Sequence, residues 1–178
     1  MGYFPMADDY KTISWYSPDP RAIIPLDNYN IPRSTKQLWI KQTFKIEIDT
    51  NFEFVIRSCA QRKETWISEE IVESYMELHR LGYAHSVEAI DSGKIDGGLY
   101  GVALGSAFFG ESMFSLKSGA SKVALAFLIK HLSENDFTLL DTQYLTPHLQ
   151  TFGGIEIPKK KYIQMLHEAM TKKGRFIQ

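Results

Sequence analysis

A glycine-rich apolar stretch at residues 95–125 constrains the fold of this chain more than any other segment. It consists of two apolar runs that glycines interrupt, a short polar turn and then an uninterrupted helical pattern. Two strands followed by a buried helix are the structures that such runs favour. We therefore expect the rest of the chain to be arranged around a sheet that contains these strands.

One carboxylate, that of Glu111, lies within the second apolar run. Period-two alternation over residues 106–114 puts Glu111 on the same face of the strand as Phe109 and Met113. An isolated buried anion is costly, so such a group is either protonated or met by a cation or by hydrogen-bond donors. Two interpretations follow: a structural ion pair or an exposed strand end, and a pocket that recognises an amine beside an apolar group.

The composition is that of an ordinary globular domain. The chain has 178 residues, of which 44% are hydrophobic and 23% charged, and its net charge is −1. This balance gives no global argument for binding nucleic acid, so an RNA contact would need a local basic patch. Cys59 is the single cysteine, which excludes an intramolecular disulfide and makes the cytoplasm the expected location. The chain also lacks the patterns of a signal peptide and of a transmembrane helix.

The predicted elements divide the chain at residue 32. Residues 1–32 are rich in proline and aromatic side chains, which predicts a wrapping segment of short extended pieces. Residues 33–178 are predicted to form a single domain. Its predicted helices are residues 34–42 (capped by Ser34), 51–61, 68–82, 119–131, 146–152 and 158–170, and its predicted strands are residues 44–49, 84–90, 94–104, 106–114, 137–143 and 155–157.

This order of elements resembles the α+β fold of the acyl-CoA N-acyltransferases, the GNAT-like fold, with a mixed and mostly antiparallel sheet flanked by helices. Acetyl-CoA enzymes of that fold usually have a (Gln/Arg)-x-x-Gly-x-(Gly/Ala) loop that holds the pyrophosphate. Residues 114–122 contain only Gly119 and do not match this pattern. An acetyl-CoA-dependent N-acetyltransferase is therefore a function that the sequence disfavours.

Asp141 and Gln143 are candidate catalytic residues at the carboxyl end of a buried strand. Alternation puts both side chains on one face. Asp141 can accept a hydrogen bond from the side-chain amide of Gln143, which would turn the Gln143 oxygen toward an incoming amine. Equally, they can be two polar residues that end a strand and begin a turn.

Four more side chains are candidates for the wall of an apolar pocket: Trp66, Tyr75, Leu99 and Met113. Ordinary packing of aromatic residues in a core explains any one of them equally well. The five histidines do not show a metal-ligand spacing with acidic or cysteine partners. We therefore expect no metal site.

Several short segments, taken together and in order, resemble the bacterial leucyl/phenylalanyl-tRNA-protein transferases. The most specific are WYSPDPRA at residues 15–22 and GESMF at residues 110–114. The others are TWI at 65–67, YGV at 100–102, ASK at 120–122, Leu140-Asp141 with Gln143, and Ile157-Pro158. The resemblance covers nearly the whole chain.

The resemblance implies an enzyme that transfers Leu or Phe, with Met as a third candidate, from aminoacyl-tRNA to acceptor proteins with an N-terminal Lys or Arg. The product would carry an N-degron and be degraded under the N-end rule. The partners would be Leu-tRNA or Phe-tRNA and the acceptor protein, with no cofactor, metal or membrane. A monomer is the expected state.

The resemblance also implies roles for single residues. Glu111 would bind the α-amino group of the aminoacyl ester. Asp141 and Gln143 would activate the acceptor amine, or would act on it by position alone. The residues expected around the rest of the donor are Leu99, Phe108 and Met113 for its side chain, and Trp66 and Tyr75 near its adenosine.

The chain departs from the family pattern in two ways. Met6 replaces the tryptophan of a Gly-x-Phe-Pro-Trp segment. Family members also usually begin with a further N-terminal domain, and this sequence begins where that domain would end. These departures leave open a catalytically inactive module that binds tRNA or peptide. A peptidoglycan-type aminoacyl-tRNA transferase is another rival, although such proteins usually have two acetyltransferase-like domains.

Overall fold

The computed structural model describes residues 2–8, 12–61 and 65–177. Its strands are β1 (Phe4–Ala7), β2 (Ile13–Tyr16), β3 (Arg21–Ile24), β4 (Lys45–Ile48), β5 (Ala84–Asp91), β6 (Lys94–Leu104), β7 (Ala107–Ser115), β8 (Leu139–Gln143) and β9 (Ile155–Ile157). Seven of them form one sheet in the order β4-β5-β6-β7-β8-β3-β9, and β1 and β2 form a separate ribbon. The α+β class and the mixed sheet are as predicted.

The helices are α1 (Arg33–Ile40), α2 (Phe52–Ala60), α3 (Glu69–Arg80), α4 (Ala120–Glu134), α5 (Pro147–Gln150) and α6 (Lys159–Met170). Side-chain caps explain where three of them begin, because the Asn51, Ser68 and Thr146 side chains accept backbone N–H bonds at the starts of α2, α3 and α5. The predicted cap at Ser34 is wrong. α1 begins at Arg33 after Pro32, without a side-chain cap.

No helix in the described part of the chain is long and apolar enough to span a bilayer.

The central strands run as the sequence predicts. β5, β6 and β7 are antiparallel neighbours, and β5 and β6 are joined by Ser92 and Gly93, both with positive φ. β7 and β8 are parallel, and α4 makes the crossover between them. The sheet is therefore antiparallel on one side of β7 and mixed on the other.

The N-terminal segment contributes an interior strand that was not predicted. β3 lies between β8 and β9 and is antiparallel to both, and its four residues are all buried. A buried strand of four residues directly after Asp19-Pro20 is too short to show an alternating pattern. The boundary at residue 32 stays a prediction, with the segment before it hydrogen-bonded into the main sheet.

Helices cover both faces of the sheet. The core on one face joins α4 to strand residues such as Leu99 and Phe108. On the other face, α2 and α3 pack against Tyr100 and Phe114, and α6 packs against β7 and β8. Cys59 is buried in the α2–α3 core, as predicted. Residues of these cores that lie beside β7 and β8 form the walls of the candidate active site.

Candidate active site

A bulge in β7 determines the position of Glu111. The β6–β7 ladder pairs Tyr100 with Ser112 and then Gly101 with Gly110, so Glu111 has no residue opposite it. An extra residue of this kind bends the strand and redirects its own side chain. Glu111 consequently projects from the middle of β7 toward α3 and β8.

The same bulge interrupts the predicted alternation. Phe109 packs against the α6 core, whereas Met113 packs against the α4 core on the opposite face of the sheet. The prediction that Glu111 shares one face with both of them is therefore wrong for Met113. A bulge leaves no clear signal in a single sequence, and the glycine before Glu111 was the only hint.

Two hydrogen-bond donors meet the carboxylate of Glu111. The side-chain amide of Gln143 donates to Oε2 at 2.8 Å, and the hydroxyl of Tyr75 also donates to this carboxylate. Tyr75 itself is buried, and burial together with the charge of Glu111 raises the pKa of its hydroxyl. Donors of this kind can hold either an anion or, with a small rearrangement, a neutral acid.

Burial raises the pKa of Glu111 to about 7, even though the hydrogen bonds from Gln143 and Tyr75 act to lower it. No lysine or arginine in the described chain forms a salt bridge with this carboxylate. Near neutral pH the group is therefore close to its own midpoint. An arriving cation would favour the ionised form and would supply the missing counter-charge.

Asp141 is fully buried, and four hydrogen bonds occupy its carboxylate. Arg21 makes a bidentate contact, with Nε 2.9 Å from Oδ1 and Nη2 2.6 Å from Oδ2. The Tyr162 hydroxyl donates to Oδ2 at 2.7 Å, and the backbone N–H of Gln143 donates to Oδ1 at 2.9 Å. The predicted bond from the Gln143 side chain to Asp141 is therefore wrong, because the side-chain amide of Gln143 is bound to Glu111.

Arg21 and Tyr162 were not identified from the sequence. Arg21 is 1% exposed, lies over the rings of Phe4 and Tyr162, and also donates to the carbonyl oxygen of Gly2. Burial opposes its charge, but the hydrogen bond and charge of Asp141 outweigh burial and raise the pKa of Arg21. A lone arginine directly before the apolar run Ala-Ile-Ile was the available signal.

Gln143 adopts an unusual backbone conformation that orients its side chain. Its φ is +64°, a region that few residues other than glycine adopt. Two contacts support this conformation: the bond from its backbone N–H to Asp141, and its pairing with Ala22 of β3 beside a bulge in β8. No residue in the described chain donates a hydrogen bond to the amide oxygen of Gln143. That oxygen is free to accept from a ligand.

Glu111 lies where two cavities meet. The smaller cavity has a volume of about 240 Å³, below the roughly 300–1,000 Å³ of sites for drug-sized ligands, and suits one amino-acid side chain. Two buried atoms of its lining residues, Thr142 Oγ1 and His148 Nε2, have no hydrogen-bond partner in the described chain. Its apolar lining is Trp66, Leu99, Met113, Leu125, Leu128, Leu140 and Leu149.

The larger cavity has a volume of about 600 Å³ and begins on the other side of Glu111. Gln143, Arg21 and Phe109 line its inner end, and α3 and α6 form two of its walls. The β1–β2 ribbon closes a third side with aromatic residues, of which Trp15 is 65% exposed. A molecule that enters here reaches Glu111 and Gln143 from outside the apolar cavity.

The structure brings together seven of the eight predicted site residues. Glu111 and Gln143 are in direct contact, Tyr75 bonds Glu111, and Asp141 supports Gln143. Trp66, Leu99 and Met113 line the smaller cavity. Phe108 is the exception: it is fully buried in the α4 core, stacks on Phe176 and lines neither cavity.

Within the described residues, no group of three or more His, Cys, Asp or Glu side chains is arranged to hold a metal ion.

Comparison with known proteins agrees with the motifs. The family model described as leucyl/phenylalanyl-tRNA protein transferase matches residues 23–167. This chain belongs to that family. A curated leucyl/phenylalanyl-tRNA–protein transferase of Chlorobaculum parvum is 50% identical over 181 residues, which cover 99% of this chain and 93% of the relative. Another from Herpetosiphon aurantiacus is 50% identical over 176 residues, covering 98% of this chain and 92% of the relative.

Only about 7% of the Chlorobaculum parvum relative lies outside the aligned region. Among solved structures, L-PGS from Bacillus licheniformis is similar with a TM-score of 0.47 and 13% identity, covering 82% of this chain and 51% of that one.

Proposed function

We propose that this family member transfers Leu, Phe or Met from its aminoacyl-tRNA to the α-amino group of a protein with an N-terminal Lys or Arg. The product would carry an N-degron. The observation that carries the proposal is Glu111: a carboxylate that forms no salt bridge with any described residue, at the junction of a smaller and a larger cavity.

The smaller cavity fits the donor. The Leu or Phe side chain enters between Leu99, Met113 and the residues of α4, and its α-ammonium group meets Glu111. The ester carbonyl then lies beside Gln143, and the terminal adenosine lies over Trp66 at the mouth of the cavity. An apolar pocket discriminates by only about 1–3 kcal/mol per methylene, so several donors of similar size are expected to be accepted.

The larger cavity fits the acceptor. Its N-terminal amine approaches Gln143, whose unoccupied amide oxygen accepts one N–H and aims the lone pair at the ester carbonyl. The amine nitrogen forms the new amide bond, the ester bond to the ribose oxygen breaks, and the amine proton leaves on that oxygen. Because the ester is already activated, alignment alone supplies about 7–11 kcal/mol of the barrier reduction.

Asp141 acts by positioning. Its four hydrogen bonds leave no lone pair directed at a substrate. It fixes the backbone of Gln143 and thereby the direction of the Gln143 side chain. Of the two roles expected for the Asp141–Gln143 pair, the geometry supports position rather than proton relay.

At the level of the whole protein, the proposal includes the GNAT-like fold as the scaffold, action in the cytoplasm as a monomer, and no cofactor. The helix α4 begins at Ala120, and only the single Gly119 precedes it instead of a glycine-rich loop. The loop before α4 therefore does not provide the row of backbone N–H groups that would bind the pyrophosphate of coenzyme A.

The proposal is tested by incubating the protein with labelled Phe-tRNA and a peptide that begins with Lys. We expect label in the peptide. Phe-tRNA whose α-amine is acetylated should be used far more slowly, because the blocked amine cannot carry the charge that Glu111 binds. Binding of Phe-tRNA without transfer would support an inactive module instead, and acetylation of the peptide from acetyl-CoA would support the rival enzyme.

A further inference from the structure

The part of the larger cavity that is open to a ligand carries an excess of negative charge. Its acidic residues are Glu70 and Glu111, and its one arginine, Arg21, is already neutralised by Asp141. The remaining ionisable side chains along its described walls are those of His167, Tyr3 and Tyr75. A cation is therefore the charge that this cavity favours.

Glu70 occupies the outer part of this cavity. It lies on α3, on the same side of the helix as Ile71, Ser74 and Tyr75, which also line the cavity. Its side chain is exposed, and it forms no ion pair with any described residue. The adjacent Glu69 turns away from the cavity and pairs with Arg57. Glu70 thus provides an unneutralised carboxylate at the rim.

The spacing of Glu70 and Tyr75 along α3 is comparable to the length of a long cationic side chain. Tyr75 contacts Glu111, and Glu70 lies five residues before Tyr75, which corresponds to roughly 7 Å along the helix axis. Between these two positions of α3, the cavity is lined by Ile71 and Ser74, and Leu78 and Val102 extend its apolar lining. The four-carbon stem of a lysine can lie along such a wall while its charged end reaches the rim.

We propose that Glu70 is a specificity-determining residue, which binds the side-chain cation of the acceptor's first residue while the α-amine of that residue lies at Gln143. The assignment rests on the proposed function. It predicts that the contact with Glu70 selects acceptors whose first residue is Lys or Arg. An acceptor whose first residue is neutral and of similar length should lose this contact and no other.

The test is a comparison of transfer from Phe-tRNA to peptides that begin with Lys, Arg, norleucine or Glu, with wild type and Glu70→Gln. For the variant we expect kcat/KM for the Lys and Arg peptides to fall about five- to tenfold, the range of an ionic hydrogen bond at a partly exposed site. The loss should appear in the KM of the peptide, with the KM of Phe-tRNA unchanged and the norleucine peptide within about twofold of wild type.

Two matched variants complete the design. Glu73→Gln removes the same charge from α3 but does not line this cavity, and it should retain the Lys preference. Glu70→Lys should reverse the preference toward the peptide that begins with Glu. An unchanged ratio of Lys to norleucine peptide in Glu70→Gln would overturn the assignment, and so would an equal loss in Glu73→Gln. Absence of transfer by wild type to every peptide would instead overturn the proposed function.

Discussion

At the scale of single residues, the ion pair between Arg21 and Asp141 is the buried charge on which the site depends. Both side chains are almost completely inaccessible, at 2% and 0% exposure. Such a pair adds little net stability, because desolvation offsets the attraction. The loss of one partner is different, since it leaves a single charge in the core and releases Gln143 at the same time.

Arg21→Met should therefore lower the free energy of unfolding by about 3–5 kcal/mol. The matched control is Arg57→Met, which removes two exposed ion pairs, with Glu53 and Glu69, and should lower the free energy of unfolding far less. Denaturant unfolding at pH 7 measures both. Equal costs for the two variants would show that Arg21 and Asp141 do not form a buried charge pair.

The same residues show what a sequence can and cannot reveal. Glu111 was recognised because a carboxylate inside an apolar run is unusual, whatever the exact backbone around it. Arg21 was missed, because its partner Asp141 lies 120 positions away and only the folded sheet brings them together. The contact between Gln143 and Glu111 was missed for a related reason: it depends on a positive φ and a bulge.

At the scale of elements, the β6–β7 pair is the part of the fold that creates the site. The register shift at Tyr100 and Gly101 makes room for Glu111 as the extra residue. Gly101 is required there, because an added Cβ would lie 2.2 Å from the carbonyl oxygen of Phe109 and 2.4 Å from the ring of Phe108. Backbone and a fully buried ring cannot move away cheaply.

Gly101→Ala should accordingly destabilise the protein by about 2 kcal/mol and should reduce transfer by more than the fraction unfolded explains, because the bulge that carries Glu111 must shift. Gly110→Ala is the control for stability, since its Cβ would meet only the carbonyl oxygen of Asp141, at an ordinary 3.4 Å. Thermal unfolding and transfer rates, measured on both variants, test whether Gly101→Ala loses more stability and more activity than Gly110→Ala. A Gly101→Ala protein with wild-type stability would mean that the strands do not pack this closely.

At the scale of the whole molecule, the hydrophobic periodicity of the sequence was sufficient to predict most of the helices and strands. Long alternating or helical runs such as α3, β6 and α4 were predicted within a few residues, because each carries its own pattern. β3 was not, since a four-residue strand has too little sequence to show a pattern. What results is a sheet whose two cores leave separate cavities on either side of Glu111, a smaller one and a larger one.

The central claim is that ionised Glu111 binds the ammonium group of the donor. The most direct measurement is kcat/KM for Phe-tRNA between pH 5.5 and 7.5, in wild type and in Glu111→Gln, with the peptide held constant. The ratio of the two cancels the ionisation of the acceptor amine. Since burial raises the pKa of Glu111 to about 7, the carboxyl group is protonated below this pH and resembles the Gln of the variant.

The control is Glu88→Gln. The Glu88 carboxylate is also fully buried, and burial also raises its pKa, but it lines neither cavity. We expect the ratio of wild type to Glu111→Gln to be near one at pH 5.5 and to rise to about tenfold or more at pH 7.5, as a charge-assisted hydrogen bond forms. The corresponding ratio for Glu88→Gln should stay flat. A flat ratio for Glu111→Gln across this range would contradict the account.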